Sequence, residues 1–552
     1  VFFTSTSVSP PSRHQAVAIL AQVLAQDVRL RRPVGTACGG IVLGKVLLAV
    51  GMAPVSCIGL IAFGLLPVCA ATGSSHAEET CVNPQSPGCQ MASVPPFWPF
   101  KNRDLNRTGL APHVAPFDLS KPAWLFQQPQ DSGVFHSGPI LDAEFNVFFT
   151  STSGMLYSLT KSGHMRWSVK LSGNNPGNPA LMDGTLYTAS DDGMAHAVDA
   201  ATGALRWTVQ IGASCPDDTF GAIAVNGTVI LPASPSDWQV SARHADKRPA
   251  SGGDEIVALY AADGREKWRY NHAKLHGAAS FNVIPAVVDG SVVFDDMSGG
   301  LYRLSFESGE EQWYEPGFSG TWSTGAMSLG PNDRVYVARN RHRSSGCNGN
   351  DGIVRAHDLH SGRVVWEHSF PVAMNVGLAV GPLRPGGPLT VIAAPGNNTM
   401  VYPQLFWFWP LVQRLGLESL VVTSWRLLKP LHYLLYYLDV YVLAKDGQDF
   451  NQVVALDAET GKTVWSLDLS RKMYALPNLN LRVPSHQCAP DMFGNPSIGA
   501  DGTVYISWSG GKVLALRDSN GDGKINPMDA QEYSSYDHGY GSNGNPAIGP
   551  CF

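Results

Sequence analysis

The densest run of oxygen-bearing side chains in this sequence is Asp518-Ser-Asn-Gly-Asp-Gly-Lys-Ile-Asn-Pro-Met-Asp529. Asp518, Asn520 and Asp522 alternate along it, Gly523 follows, Ile525 fills the eighth position and Asn526 the ninth. This is the spacing of an EF-hand-type loop, in which Lys524 offers its backbone carbonyl and the twelfth residue, Asp529, closes the site. Several short carboxylate and amide side chains in one loop suit a hard cation, so calcium is the expected ligand. Asp in place of Glu at the twelfth position weakens bidentate closure. The flanks, KVLALR before the loop and DAQEY after it, leave no room for two long helices. The expected role is a staple within a turn.

Other candidate groups are sparser. His486 and Asp491, in SHQCAPDMFGN, are candidate pocket residues to which spacing alone assigns no acid–base partner. Cys81, Cys89, Cys215, Cys347, Cys488 and Cys551 follow an uncharged run from Val46 to Ala71. That run is long enough to cross a bilayer core, and the bases before it (Arg13, Arg29, Arg31, Arg32, Lys45) face a single acid, Asp27. A cleaved signal or a retained anchor both follow from this pattern, with the remainder translocated. In a translocated chain six cysteines would allow three disulfides. Sequons at Asn106, Asn226 and Asn397 agree with a secretory, glycosylated route. The heptapeptide VFFTSTS at 1–7 recurs at 147–153 and is read as a misassembled stretch without a functional role.

The elements that must position these groups are strands. Gly163, Gly203, Gly264, Gly309, Gly362 and Gly461 are each followed four residues later by Trp167, Trp207, Trp268, Trp313, Trp366 and Trp465. The fullest copies are AVDAATGALRW, AHDLHSGRVVW and ALDAETGKTVW. The unit around Trp207 reads GNPALMDG, TLYTASDDG, MAHAVDAATG, ALRWTVQI, which is four short β-prone runs parted by Gly-containing turns. Four strands per unit in a repeat are the pattern of a propeller blade. The tryptophans are read as a structural girdle packing one blade on the next, ahead of a ligand-binding set.

The A-x-D-x-x-T-G-x-x-x-W pattern resembles the tryptophan-docking motif of the PQQ-like (quinoprotein alcohol dehydrogenase-like) β-propeller repeat family. The lead-in FWPFKNRDLNRTG, Phe97–Gly109, is similar to that family's WP…D…RTG start. The resemblance covers most of residues 95–551 and implies an all-β propeller. Outer-strand segments near Trp124, Trp167, Trp207, Trp268, Trp313, Trp366, Trp465 and Tyr533 suggest eight blades. Openings of the NPAIG type near Ser137, Asn178, Phe220, Val283, Thr324, Val376, Asn495 and Asn545 suggest the same number. The expected fold is therefore an eight-bladed ring of four-stranded blades whose closing blade is truncated, with a seven-bladed ring as the alternative. Residues 1–77 read as a basic leader with the apolar segment 46–71, 78–121 as a Cys/Pro-rich lead-in, and 122–552 as the propeller.

Composition agrees with this architecture. Of 552 residues, 57 are Gly, 39 are Pro and only 15% are charged, as many short strands and turns require. A net charge of −6 gives no basic surface for nucleic acid. Residues 400–443 depart from the repeat with QLFWFWPLV and LHYLLYYLDVYVL, interrupted by Arg414, Glu418, Arg426 and Lys429. The interruptions suit an apolar hairpin lying on a membrane surface, or a surface that docks a protein partner. Two further insertions, 234–254 and 339–351, read as solvated loops.

The resemblance offers two functions. Family members include PQQ-dependent alcohol and sugar dehydrogenases, many of which carry an adjacent Cys pair beside the quinone, and this sequence has none. They also include non-enzymatic scaffolds. The reading carried forward is a translocated, membrane-associated binding or assembly propeller with a calcium loop, and the alternative is a PQQ-dependent oxidoreductase.

Overall fold

Segments such as TLYTA and MAHAVD alternate β-branched, aromatic and small residues between Asp-Gly turns, and they pair as strands. The computed structural model describes residues between 97 and 549; the longest stretches outside the described residues are 1–96, 235–254, 397–410, 418–450 and 470–492. The leader, Cys81, Cys89, Cys347, Cys488, Cys551, His486, Asp491, Asn397 and nearly all of 400–443 lie there or in short breaks.

Seven four-stranded antiparallel sheets make up the ring, each a meander in chain order. The first is β1 (Ile140–Leu141), β2 (Val147–Thr150), β3 (Met155–Leu159) and β4 (Met165–Lys170). The second is β5 (Ala180–Met182), β6 (Thr185–Ala189), β7 (Met194–Asp199) and β8 (Leu205–Gln210). The third is β9 (Ile223–Val225), β10 (Thr228–Ala233), β11 (Glu255–Tyr260) and β12 (Glu266–Asn271), followed by a single helical turn, α1 (His272–Leu275). The fourth is β13 (Ala286–Val288), β14 (Ser291–Asp295), β15 (Leu301–Ser305) and β16 (Glu311–Glu315). The fifth is β17 (Ser328–Gly330), β18 (Arg334–Arg343), β19 (Gly349–Asp358) and β20 (Val364–Phe370). The sixth is β21 (Ala379–Pro382), β22 (Leu389–Ala393), β23 (Asn451–Asp457) and β24 (Thr463–Leu469). The seventh is β25 (Ser497–Ile498), β26 (Val504–Trp508), β27 (Lys512–Leu516) and β28 (Tyr533–Asp537).

The seven-bladed alternative therefore holds, and the expectation of eight is corrected. Its two markers exist, but no middle strands pair with them among the described residues. Residues 544–549 lie between the seventh and first blades, where Asn495 N donates to Asn545 Oδ1 at 3.0 Å and Ser497 Oγ to Pro546 O at 2.6 Å. Trp124 lies against Gly163 of the first blade and donates from Nε1 to Lys161 O at 2.9 Å. An opening and a docking indole recur without the ladder that makes a blade.

Burial falls outward through each blade. In the second blade β6 is wholly buried, whereas β8 is exposed at Leu205, Arg206 and Gln210. Asp183-Gly184, Asn226-Gly227 and Asp289-Gly290 all have positive φ, which gives the tight hairpins between first and second strands. In blades one to six the third and fourth strands slip register by one residue just before the Gly turn, for example between Ala197 and Val198. The seventh blade, whose turn is the Asp518–Asp529 loop, pairs β27 with β28 in unbroken register.

Candidate functional site

The Gly turns show why the repeat spacing is four. In the second blade Asp199 Oδ1 accepts from Thr202 N at 2.9 Å and Thr202 Oγ1 at 2.8 Å, while Gly203 N donates to Asp199 O at 2.8 Å. Arg206 and these donors hold the Asp199 carboxyl down to about 2. Gly203 has φ +77° and faces the Trp167 ring of the preceding blade; a Cβ there would sit 2.8 Å from Trp167 Cδ2. Trp167 Nε1 donates to Ala200 O at 3.2 Å. The same contact recurs with Trp207 to Ala261 O, Trp268 to Phe306 O, Trp313 to Leu359 O and Trp366 to Ala458 O. Five of the six repeat tryptophans thus spend both ring face and N–H on the next blade.

Trp465 meets something different. It is buried on β24, and the neighbouring turn is the Asp518–Asp529 loop. Here Ser466 N donates to Gly523 O at 3.1 Å and Ile525 N to Ser466 O at 2.9 Å, a backbone bridge in place of an indole-to-carbonyl bond. Ile525 is buried in the same apolar cluster as Trp465, as the eighth position of the loop requires.

Within the loop, Asp518 accepts from Gly521 N at 2.8 Å and Gly523 N at 3.0 Å. Asn520 Oδ1 accepts from Asp522 N, and Asp522 Oδ1 from Lys524 N, both at 2.8 Å. Asn526 Oδ1 accepts from Met528 N, and Asp529 caps a separate turn through Gln531 N. Asp518, Asn520 and Asp522 are therefore neighbours, while Asp529 serves the turn leading into β28. No group of three or more His, Cys, Asp and Glu side chains placed to hold a metal occurs among the described residues. Glu532, outside the twelve-residue pattern, is fully buried beneath the loop. It accepts from Asn526 N at 3.0 Å, Asn520 N at 3.3 Å and Ser519 Oγ at 3.3 Å.

The lead-in segment runs across the first strands of the ring. Trp98 pairs with Leu141 of β1 in both directions, at 3.0 and 2.9 Å. Leu181 N donates to Pro99 O, Val287 N to Leu105 O, Leu329 N to Asn106 O, Val380 N to Thr108 O and Ile498 N to Gly109 O, all at 2.8–2.9 Å. Six of the seven blades are reached in turn by one short peptide. Asn102, Arg103 and Arg107 have positive φ, a backbone that non-Gly residues adopt only when surroundings over-determine it. Asn102 supplies that constraint: Nδ2 donates to Leu378 O at 3.2 Å, and Oδ1 accepts from Asn495 at 3.1 Å and Asn545 at 2.6 Å.

Charged groups collect under this segment. Arg107, Asp295 and Arg339 are each at most 1% exposed, and Asp296 is 5% exposed. Asp296 accepts from Ser298 N, Gly300 N and the Tyr302 hydroxyl at 2.6–2.8 Å. Burial pushes the Asp295 carboxyl up to about 7 despite the pull of Arg107 and Arg339. Burial likewise lowers Arg107 and Arg339 to about 10 and His357, beside Arg339, to about 3. Reading 339–351 as a solvated loop is thus corrected at its start: Arg339 and Asn340 belong to β18 and are fully buried. Arg339 continues the apolar parity of Val335 and Val337, a signal available in the sequence. Cys215 also lies in the core. It is a free, buried thiol whose pKa burial raises, and it is the one cysteine of the six among the described residues.

Four-stranded blades joined by Gly–Trp docking define a β-propeller of the PQQ-like repeat class. The family model described as outer membrane protein assembly factor BamB matches residues 117–247, 219–402 and 439–531. The chain belongs to that family. It is 23% identical over 192 residues to the outer membrane protein assembly factor BamB of Yersinia pestis, a match covering 32% of this chain and 43% of that protein. The chain thus spans less than half the length of this curated relative. Among solved structures, BamB from Moraxella catarrhalis aligns over 74% of this chain and 88% of its own, at 14% identity and a TM-score of 0.42. A europium-containing methanol dehydrogenase aligns over 82% and 87% at 11% identity and a TM-score of 0.52, a likeness of fold.

Proposed function

We propose that this chain is a binding or assembly scaffold working outside the cytoplasm, a propeller that presents its blades and insertions to protein partners. The observation that carries the reading is membership, over most of the ring, in a family described as an assembly factor. The geometry is consistent with it, since the repeat tryptophans are consumed in holding blades together. The insertion 400–443 supplies the contact with a membrane surface or a partner; Leu411, Leu415 and Leu417 within it are exposed. Among the described residues no helix is long and apolar enough to cross a membrane.

In the same proposal the Asp518–Asp529 loop takes calcium through Asp518, Asn520, Asp522, the Lys524 carbonyl, Asn526 and Asp529, the last turning from the Gln531 N–H to close the site, and so staples the seventh blade to β24. Chelation would lower the melting temperature of the wild type, with a stability change of RT ln(1 + [L]/Kd), and leave Asp522→Ala unmoved. Equal chelator effects in both proteins would remove calcium from the account. For the scaffold itself, deletion of 400–443 should abolish vesicle partitioning or co-purification of a partner while the ring stays folded. Stoichiometric quinone absorbance together with dye reduction by an alcohol would overturn the scaffold reading in favour of an oxidoreductase.

A further inference from the structure

The charged group beneath the lead-in segment is not complete as it stands. Arg339 Nε, Nη1 and Nη2 and Arg107 Nε are all buried without a hydrogen-bond partner, and the buried Asp295 carboxyl has only the Met327 backbone N–H near it, outside normal hydrogen-bond geometry. Arg107 does donate from Nη1 to Ile284 O. Arg107 and Arg339 are the two cations acting most strongly on Asp295, yet neither forms an ion pair with it. The three side chains come from three separate elements: the lead-in segment, the end of β14 and the middle of β18. Buried polar atoms in such number are ordinarily satisfied, and here they belong to side chains close enough for both guanidinium groups to act on the Asp295 carboxyl.

We propose that Arg107, Asp295 and Arg339 wall a closed site for one small oxyanion, either a carboxylate or an ion of the phosphate or sulfate type. The sign follows from the inventory. A guanidinium only donates, and Arg339 offers its whole planar fork to an oxyanion. Asp296 is already committed to Ser298, Gly300 and Tyr302, so it leaves Arg339 without a hydrogen-bonded counter-ion. Two guanidinium groups repel a metal cation. Asp295, whose carboxyl burial raises to about 7, is protonated below that value and can then donate a hydrogen bond.

The size follows from the walls. The three side chains are almost wholly inaccessible. Gly299 lies against the Arg339 side chain, where a Cβ would come within 2.9 Å of its Cδ and Nε. Tyr302, whose hydroxyl bonds Asp296, is stacked on Phe294 at 4.9 Å and on Tyr314 at 4.7 Å between centroids. Tyr302 therefore offers no open ring face to a flat aromatic group. The site stands independently of the scaffold reading.

The test is thermal melting of the full chain at pH 7 in sodium sulfate, phosphate or acetate against sodium chloride at matched ionic strength. A saturating rise in melting temperature with an oxyanion, absent in Arg339→Met and retained in Arg363→Met, is the expected result. The arm that saturates at the lowest concentration separates an inorganic oxyanion from a carboxylate. A rise equal to that in chloride, or one that survives in Arg339→Met, overturns the site. Should Arg339→Met not fold, wild-type crystals soaked in selenate decide: an anomalous peak within hydrogen-bond reach of the Arg339 fork supports the proposal, and ordered water alone refutes it.

Discussion

Replacing Gly203 by Ala isolates the contact on which the ring is built. The substitution forces a Cβ into backbone with φ +77°, which costs about 1–2 kcal/mol for an L residue. It also places that Cβ 2.8 Å from Cδ2 and Cε3 of Trp167, so the indole must slide off the turn. Overpacking of this kind costs about 1–3 kcal/mol more. Gly227→Ala is the matched control, with φ +69° and nothing within 4 Å of the added methyl. The expected losses are therefore about 2–5 kcal/mol for Gly203→Ala and about 1–2 kcal/mol for Gly227→Ala. Guanidinium chloride unfolding followed by tryptophan emission measures both, and the Gly203 variant should also show a native emission shifted toward exposed indole. If the two variants lost equal stability with unchanged emission, the docking account would be wrong and only backbone strain would remain.

Three further outcomes follow from the described geometry. Glu532→Ala should cost about 2–4 kcal/mol, because it strips a buried carboxylate from two backbone N–H groups; faster hydrogen exchange at Asn520 and Asn526 would report it. His357, held near 3 against an ordinary 6.5, stays neutral in the fold while the unfolded chain takes a proton below 6.5. Its contribution is present above that value and declines as pH falls toward 3, by about 1.4 kcal/mol per pH unit, so His357→Gln should flatten the acid limb of a stability–pH curve. Asp295 has the opposite sign: raised from 3.8 to about 7, it favours the fold at low pH, and that contribution disappears as pH rises through 7, a slope that Asp295→Asn removes.

The blades were legible because their signals are local. Gly at a left-handed turn, Asp and Thr folding back on that turn, and Trp four residues later all lie within eleven residues of one another. Blade number was less legible, since Trp124 and Asn545 carry the markers of a blade without its middle strands. The loop at Asp518 was readable as a pattern, but Glu532, which holds it from below, belongs to no spacing rule and is recognisable only by burial. The Arg107–Asp295–Arg339 group was invisible for a related reason. Its members are separated by 188 and 44 positions in the sequence and meet only when the lead-in crosses the ring.

That crossing also bears on how such a ring can change over generations. The carbonyls of Trp98, Pro99, Leu105, Asn106, Thr108 and Gly109 are each spoken for by a different blade, like the marks on a ruler laid across the mouth of the ring. Deleting any of those six blades would leave a mark with no first strand to meet it, and duplicating one would shift the blades that follow out of line with theirs. Blade number in this chain is thus coupled to twelve residues outside every blade, and a change in one demands a change in the other.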